Sequence, residues 1–158
     1  MPEGFTERFA AALAGYGGEP GIEFEGCWYS GDYITAYGRA VASALRRAGV
    51  ADDAPVGLVV RNRLQHAAVI AGCLAAGRTV SMIYSFQSAE AIAHDVENLA
   101  LAAVVADRED WTDPVRGAAS AAGSAGLAIS STNPIVAPVP GLELRDSARG
   151  HADAEDGV

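Results

Sequence analysis

Residues 56–107 read VGLVVRNRLQHAAVIAGCLAAGRTVSMIYSFQSAEAIAHDVENLALAAVVAD, and their pattern decides the fold. Pro55 opens an unbroken apolar run, residues 56–60, that is too short for a helix and apolar on both faces of a strand. Such a run suits a parallel strand buried inside a sheet. Residues 79–84 form a second β-rich run and residues 101–106 a third. Between the first two, Leu64, Ala67, Ile70, Ala71 and Leu74 recur at helical spacing, with Asn62 as the expected cap and Gly77 as the stop. Between the second and third, Ser85 or Ser88 opens a helix whose inward members are Ile92, Val96 and Leu99. Each strand-to-strand passage therefore carries a helix, as parallel pairing requires. The three runs are expected to lie side by side as buried strands.

The pattern extends in both directions. Upstream, Ser30 caps a helix with Asp32 in its first turn, an apolar stripe of Ile34, Tyr37, Val41, Leu45 and Ala48, and a stop at Gly49. Arg46 and Arg47 suit the negative pole of its last turn. Ile22 and Phe24 alternate with Glu23 and Glu25, and Gly26 turns the chain into Trp28 and Tyr29, which reads as a small hairpin. Phe5, Phe9, Ala12 and Leu13 predict a short amphipathic helix over residues 3–14, broken by Gly15, Gly17, Gly18 and Pro20. Downstream, residues 114–122 read as a helix and 127–131 as a strand. Beyond Thr132, Pro134, Pro138 and Pro140 with an acidic end predict an irregular tail, in which Leu142 and Leu144 could form one short strand. The expected organisation is an N-terminal helix and turn at 1–20, an α/β unit at 21–131 and the tail at 132–158. The fold class is α/β: a mainly parallel sheet with helices on both faces, preceded by a short hairpin.

Composition narrows the function. The chain has 158 residues, half of them hydrophobic, enough to bury a core. A formal charge of −9 argues against nucleic acid as a partner. All positive side chains are arginine, so lysine-dependent chemistry is excluded within these residues. Two cysteines are too few for a disulfide framework, and Cys73 among apolar neighbours reads as a buried thiol. The three histidines show no metal-ligand spacing. Glu3, Glu7 and Arg8 spoil the N-terminus as a secretory signal, and no apolar run approaches the ~20 residues of a membrane span, so a cytoplasmic location is expected.

A dinucleotide site would need a glycine-rich turn directly after a strand, yet the turns after Val60 and Tyr84 read RNRLQH and SFQSAE. Arg61 and Arg63, with His66 one turn on, could hold an anion at a helix start; the plainer reading pairs both arginines with surface carboxylates while Asn62 caps. Asp107, Asp110 and Asp113 lack a calcium-loop pattern and read as a polar loop after a strand. Cys27 and His66 form no recognisable nucleophile–base pair, and no G-x-S-x-G elbow occurs.

The segment WYSGDY, the helix ending ALRRAGV, and then PVGLVVRNRLQHAAVIAGCLAAGRTV resemble, in order and length, the N-terminal part of the adenylate-forming (AMP-binding) superfamily. The likeness covers about residues 22–107 and is greatest to acyl-CoA synthetases. Departures are the missing prolines at Met82, Ser85 and Ser88, and Tyr33 where a capping glutamate is common. The resemblance implies ATP-dependent activation of a carboxylic acid through an acyl adenylate, followed by transfer to a thiol such as coenzyme A, in fatty acid metabolism. It implies ATP, Mg2+ and coenzyme A for a complete enzyme. The family's phosphate loop, lysine and ribose-binding carboxylates lie downstream of the matching region, and the hydroxyl-rich SSTNP at residues 130–134 lacks the loop's glycines and lysine. The assignment of catalytic, cofactor-binding and metal residues in this chain is therefore none. The expectation is a fragment of an acid–thiol ligase, inactive alone and binding none of these cofactors by itself. Its natural partner would be the downstream catalytic segment, and its exposed apolar surface would favour self-association. The alternative is a non-catalytic α/β module that binds a ligand or partner.

Overall fold

The computed structural model describes residues 4–130 and 136–143. Helix α1 (Phe5–Tyr16) leads into a hairpin of β1 (Pro20–Phe24) and β2 (Cys27–Ser30). Positive φ at Glu25 and Gly26 makes the tight turn that joins them. Then α2 (Gly31–Arg47), β3 (Val56–Val60), α3 (Leu64–Ala75), β4 (Val80–Tyr84), α4 (Ala89–Leu99), β5 (Ala103–Asp107), α5 (Asp113–Ala122) and β6 (Ala125–Ile129) alternate, and β7 (Val136–Pro138) follows. The sheet runs β4-β3-β5-β6-β7. Its pairs are parallel except β6–β7, which is antiparallel. Among the described residues no helix is long and apolar enough to cross a membrane.

Two apolar cores hold the layers together. On one face Ile34, Tyr37, Val41 and Leu45 of α2 and Val69 of α3 pack on Leu58, Val105 and Leu127. On the other, Ile92 and Val96 of α4 and Val115 of α5 pack with Trp111 on Val59, Ile83 and Val104. Full burial of one such aliphatic side chain stabilises the fold by about 1.5–3 kcal/mol. Ser30 and Ser88 accept backbone N–H bonds from Tyr33 and Ala91, which starts α2 and α4 where local sequence asks.

Several expectations need correction. The second β-rich run neighbours the first but is not a fully buried strand: among the described strands β4 lies at the sheet edge, with Met82 and Tyr84 exposed. It flanks β3 on one side while β5 flanks it on the other. The cap of α3 is Arg63, not Asn62. The Arg61 N–H is satisfied by the His66 ring, which tucks the first turn under the strand end and leaves Asn62 outside. The buried members of α3 are Leu64, Gln65, His66, Ala68, Val69 and Cys73, whereas Ala67, Ile70, Ala71 and Leu74 are only partly covered. An almost wholly apolar helix carries little periodic signal, so its rotation is set by contacts. Leu99 is 45% exposed, because α4 ends there and Ala100 turns into the left-handed region.

Helix α1 runs two residues later than the expected 3–14 and buries no side chain fully, although Leu13 touches the core. Strand β6 begins two residues earlier than expected, because Gly123 at φ 71° ends α5 and the Ser124 hydroxyl donates to the Leu101 carbonyl. The expected irregular tail contains β7, and Val139 and Leu142 beyond it are buried. The short strand thus lies ahead of Leu142, while Leu144 and most of residues 130–134 fall outside the described residues.

Candidate functional site

Connections leave β3 and β5 in opposite directions. From β3 the chain passes through α3 to β4 on one side; from β5 it passes through α5 to β6 on the other. Open α/β sheets place ligands in the crevice this reversal makes at the carboxyl ends of the strands. Here the crevice lies between Val60 and Asp107.

Side chains of the chain itself fill it. Arg61 donates through Nε to Asp110 Oδ2 at 2.8 Å and through Nη2 to Asp110 Oδ1 at 2.7 Å, a bidentate pair. Arg63 donates through Nη1 to Asp107 Oδ2 at 2.5 Å and lies 2.7 Å from Glu109 Oε1. Gln65 Nε2 donates to Asp107 Oδ1 at 3.3 Å. Both aspartates are buried, while Glu109 is exposed. The 3₁₀ turn Arg108–Asp110 presents Asp110 to Arg61, and the Trp111 indole pins that turn by donating to the Leu127 carbonyl at 3.2 Å.

His66 sits beneath the pairs, 1% exposed. Its Nδ1 accepts the Arg61 backbone N–H at 3.2 Å, so a neutral ring carries its proton on Nε2. Nε2 lies 3.2 Å from Asp107 Oδ2, within reach of the carboxylate. Burial raises the pKa of Asp107, yet His66, Gln65 and Arg63 together outweigh it and hold the carboxyl below its usual range. The Arg61 pKa is raised, first by its hydrogen bonds to Asp110, so this guanidinium stays charged.

The structure thus joins Arg61, Arg63 and His66, as the anion reading required, but commits them to carboxylates, as the plainer reading had it. Two of those carboxylates are buried rather than on the surface. Asp107 and Asp110 are therefore ion-pair partners and not a loose polar loop; Asp113 is exposed and stays apart. Cys27 is exposed on the hairpin, remote in sequence and element from His66. Gln65 escaped the sequence reading, since a glutamine on an apolar helix carries no signal until strand order brings β5 alongside β3.

The family model for AMP-binding enzymes matches residues 9–154. The chain belongs to that family. No curated protein sequence matches it. As an AMP-binding family member it is similar in fold to ATP-bound MatB from Rhodopseudomonas palustris, with TM-score 0.66, 16% identity, 80% of this chain and 25% of that one. It is also similar to a benzoate CoA ligase from Burkholderia xenovorans LB400, with TM-score 0.68, 18% identity and 87% and 29% of the two chains. A putative long-chain-fatty-acid CoA ligase from Rhodopseudomonas palustris CGA009 matches with TM-score 0.67, 20% identity, 82% and 33%. The chain spans only about a quarter to a third of these proteins.

ATP-bound structures occur in this fold group, so the crevice must be tested against nucleotide phosphate. It does not fit. Two guanidinium groups face three carboxylates, Asp107, Glu109 and Asp110, which leaves no surplus positive charge for a phosphate. Among the described residues, no group of three or more His, Cys, Asp or Glu side chains is placed to hold a metal ion.

Proposed function

We propose that this AMP-binding family chain is the N-terminal part of an ATP-dependent ligase that activates a carboxylic acid as an acyl adenylate and passes it to a thiol. The observation that carries the reading is the family match over residues 9–154, joined to fold neighbours named as CoA ligases. In this reading ATP, Mg2+ and coenzyme A are bound by the complete enzyme in the cytoplasm, in fatty acid or related acid metabolism. The 158-residue chain contributes a folded α/β layer and is inactive alone.

The self-neutralised crevice supports that division of labour. Charge stabilisation of a transferring nucleotide needs donors that are free when the transition state forms, and Arg61 and Arg63 are already engaged. The same closure is compatible with the second reading, a non-catalytic module.

The test is carboxylate-dependent exchange of pyrophosphate into ATP, run on the purified chain with a panel of fatty and aryl acids. No exchange is expected from the chain alone. Exchange should appear when a downstream family segment carrying the glycine-rich loop and lysine is fused to it. Heat-sensitive exchange by the chain alone would overturn the inactivity, and a folded fusion with no exchange would favour the non-catalytic module.

A further inference from the structure

The outer edge of β4 pairs with no described strand. Thr79 accepts the Val56 N–H, so Thr79, Ser81 and Ile83 direct their backbone groups toward β3. By strand alternation, Val80, Met82 and Tyr84 direct theirs outward. Natural sheets protect such an edge with charge, proline or a bulge. Residues 79–89 contain no charged side chain and no proline, and the β3–β4 register is continuous. Met82, Tyr84 and Phe86 are 65%, 61% and 70% exposed, and the Tyr84 and Phe86 rings lie 5.5 Å apart. Beside them a groove of about 450 Å³ is lined by Phe5, Thr6, Ile70, Leu74, Val80 and Met82 among others.

We propose that this edge is an interface with a second copy of the chain, in which the two β4 strands pair antiparallel about a two-fold axis at Met82. Three features select a second copy. A chain of net charge −9 repels its own kind, and this uncharged strip lets two copies meet without opposing like charges. The strand is self-complementary: centring the axis on Met82, the midpoint of Val80–Tyr84, satisfies every outward N–H and C=O of Val80, Met82 and Tyr84. The same register sets the Tyr84 side chain of one copy directly across from Val80 of the other, on the face where Val80 lines the groove. The inference stands on the sheet edge and does not rest on the ligase reading.

Sedimentation of the 158-residue chain over the micromolar range tests it, with amide hydrogen exchange at Val80, Met82 and Tyr84 as a second readout. A concentration-dependent dimer is expected, with those amides protected only in the dimer. Met82→Lys sets two like charges on the axis, and Met82→Pro deletes the outward N–H without touching the β3 ladder. Each should weaken dimerisation at least about tenfold while far-UV circular dichroism stays unchanged. Should Met82→Pro unfold the chain, Met82→Lys alone decides. A monomer throughout the range overturns the proposal, whether or not the edge amides exchange freely. A dimer indifferent to both substitutions overturns it too, since another surface then holds the copies together.

Discussion

Arg61 clasps Asp110 through two parallel hydrogen bonds of 2.8 and 2.7 Å, across 49 residues of sequence. This pair ties the carboxyl end of β3 to the turn after β5 just where a ligand crevice would open. Asp110 is 5% exposed, and removing its carboxylate takes both hydrogen bonds from a partly buried guanidinium that keeps only Glu109 at 3.5 Å and Asp107 at 4.0 Å. Asp110→Ala is expected to cost about 3 kcal/mol, the usual consequence of breaking a buried pair from one side. A double-mutant cycle with Arg61→Ala, read by urea unfolding, should give a coupling of about 1–3 kcal/mol. Additive losses would show that the two groups do not support each other.

Helices α2 and α3 meet at Gly38 and Gly72. A Cβ on Gly38 would lie 2.7 Å from the Gly72 Cα, closer than backbone can tolerate. Gly38→Ala should therefore push the helices apart and destabilise by about 1–3 kcal/mol, despite alanine's better helix propensity. Thermal unfolding measures it. A rise in melting temperature, as propensity alone would give, would contradict the close crossing.

The Asp107 carboxyl, held below its usual range by His66, Gln65 and Arg63 against the opposing effect of burial, makes stability acid-sensitive. A depressed native pKa means that the unfolded chain binds the proton first as pH falls. The stabilisation is thus fully present above the unfolded carboxylate pKa of about 4, and is lost as pH drops through the lower native value. Asp107→Asn removes this contribution, so its stability curve should flatten over that acid window relative to the parent. Equal slopes in urea titrations at successive pH values would sink the assignment.

Sequence pattern reached the layers further than it reached the site. The runs at 56–60 and 101–106 announce themselves because interior parallel strands are apolar on both faces. Nothing in VSMIY says that only one described strand flanks it, so the edge position of β4 among the described strands required strand order. The buried side of α3 was hidden for a different reason. Nearly every residue from Leu64 to Ala75 is apolar, and a uniform helix gives no phase. The ion pairs depend on both. Only when β5 is set beside β3 does Asp107 come under Arg63, from 44 positions away. Carboxylates read as an ordinary loop thereby become the buried half of the candidate site.

The two thiols should behave as opposites. Cys27 is exposed on the hairpin, whereas Cys73 is buried in α3 beneath α2. Burial pushes the Cys73 thiol up to about 11 against the opposing pull of Arg78. A thiol reagent attacks the thiolate, so Cys73 combines poor access with a negligible reactive fraction near neutral pH. At pH 8 the folded chain should release one equivalent of chromophore from an aromatic disulfide reagent rapidly, and a second only as urea unfolds it. Cys27→Ser should abolish the fast phase and leave the slow one at the rate of global opening. The raised pKa also contributes to alkaline sensitivity: its stabilisation is complete below the unfolded thiol value of about 8.5 and disappears as pH rises through about 11. A rapid second equivalent in the native state would mean that α3 does not hold Cys73 against the core.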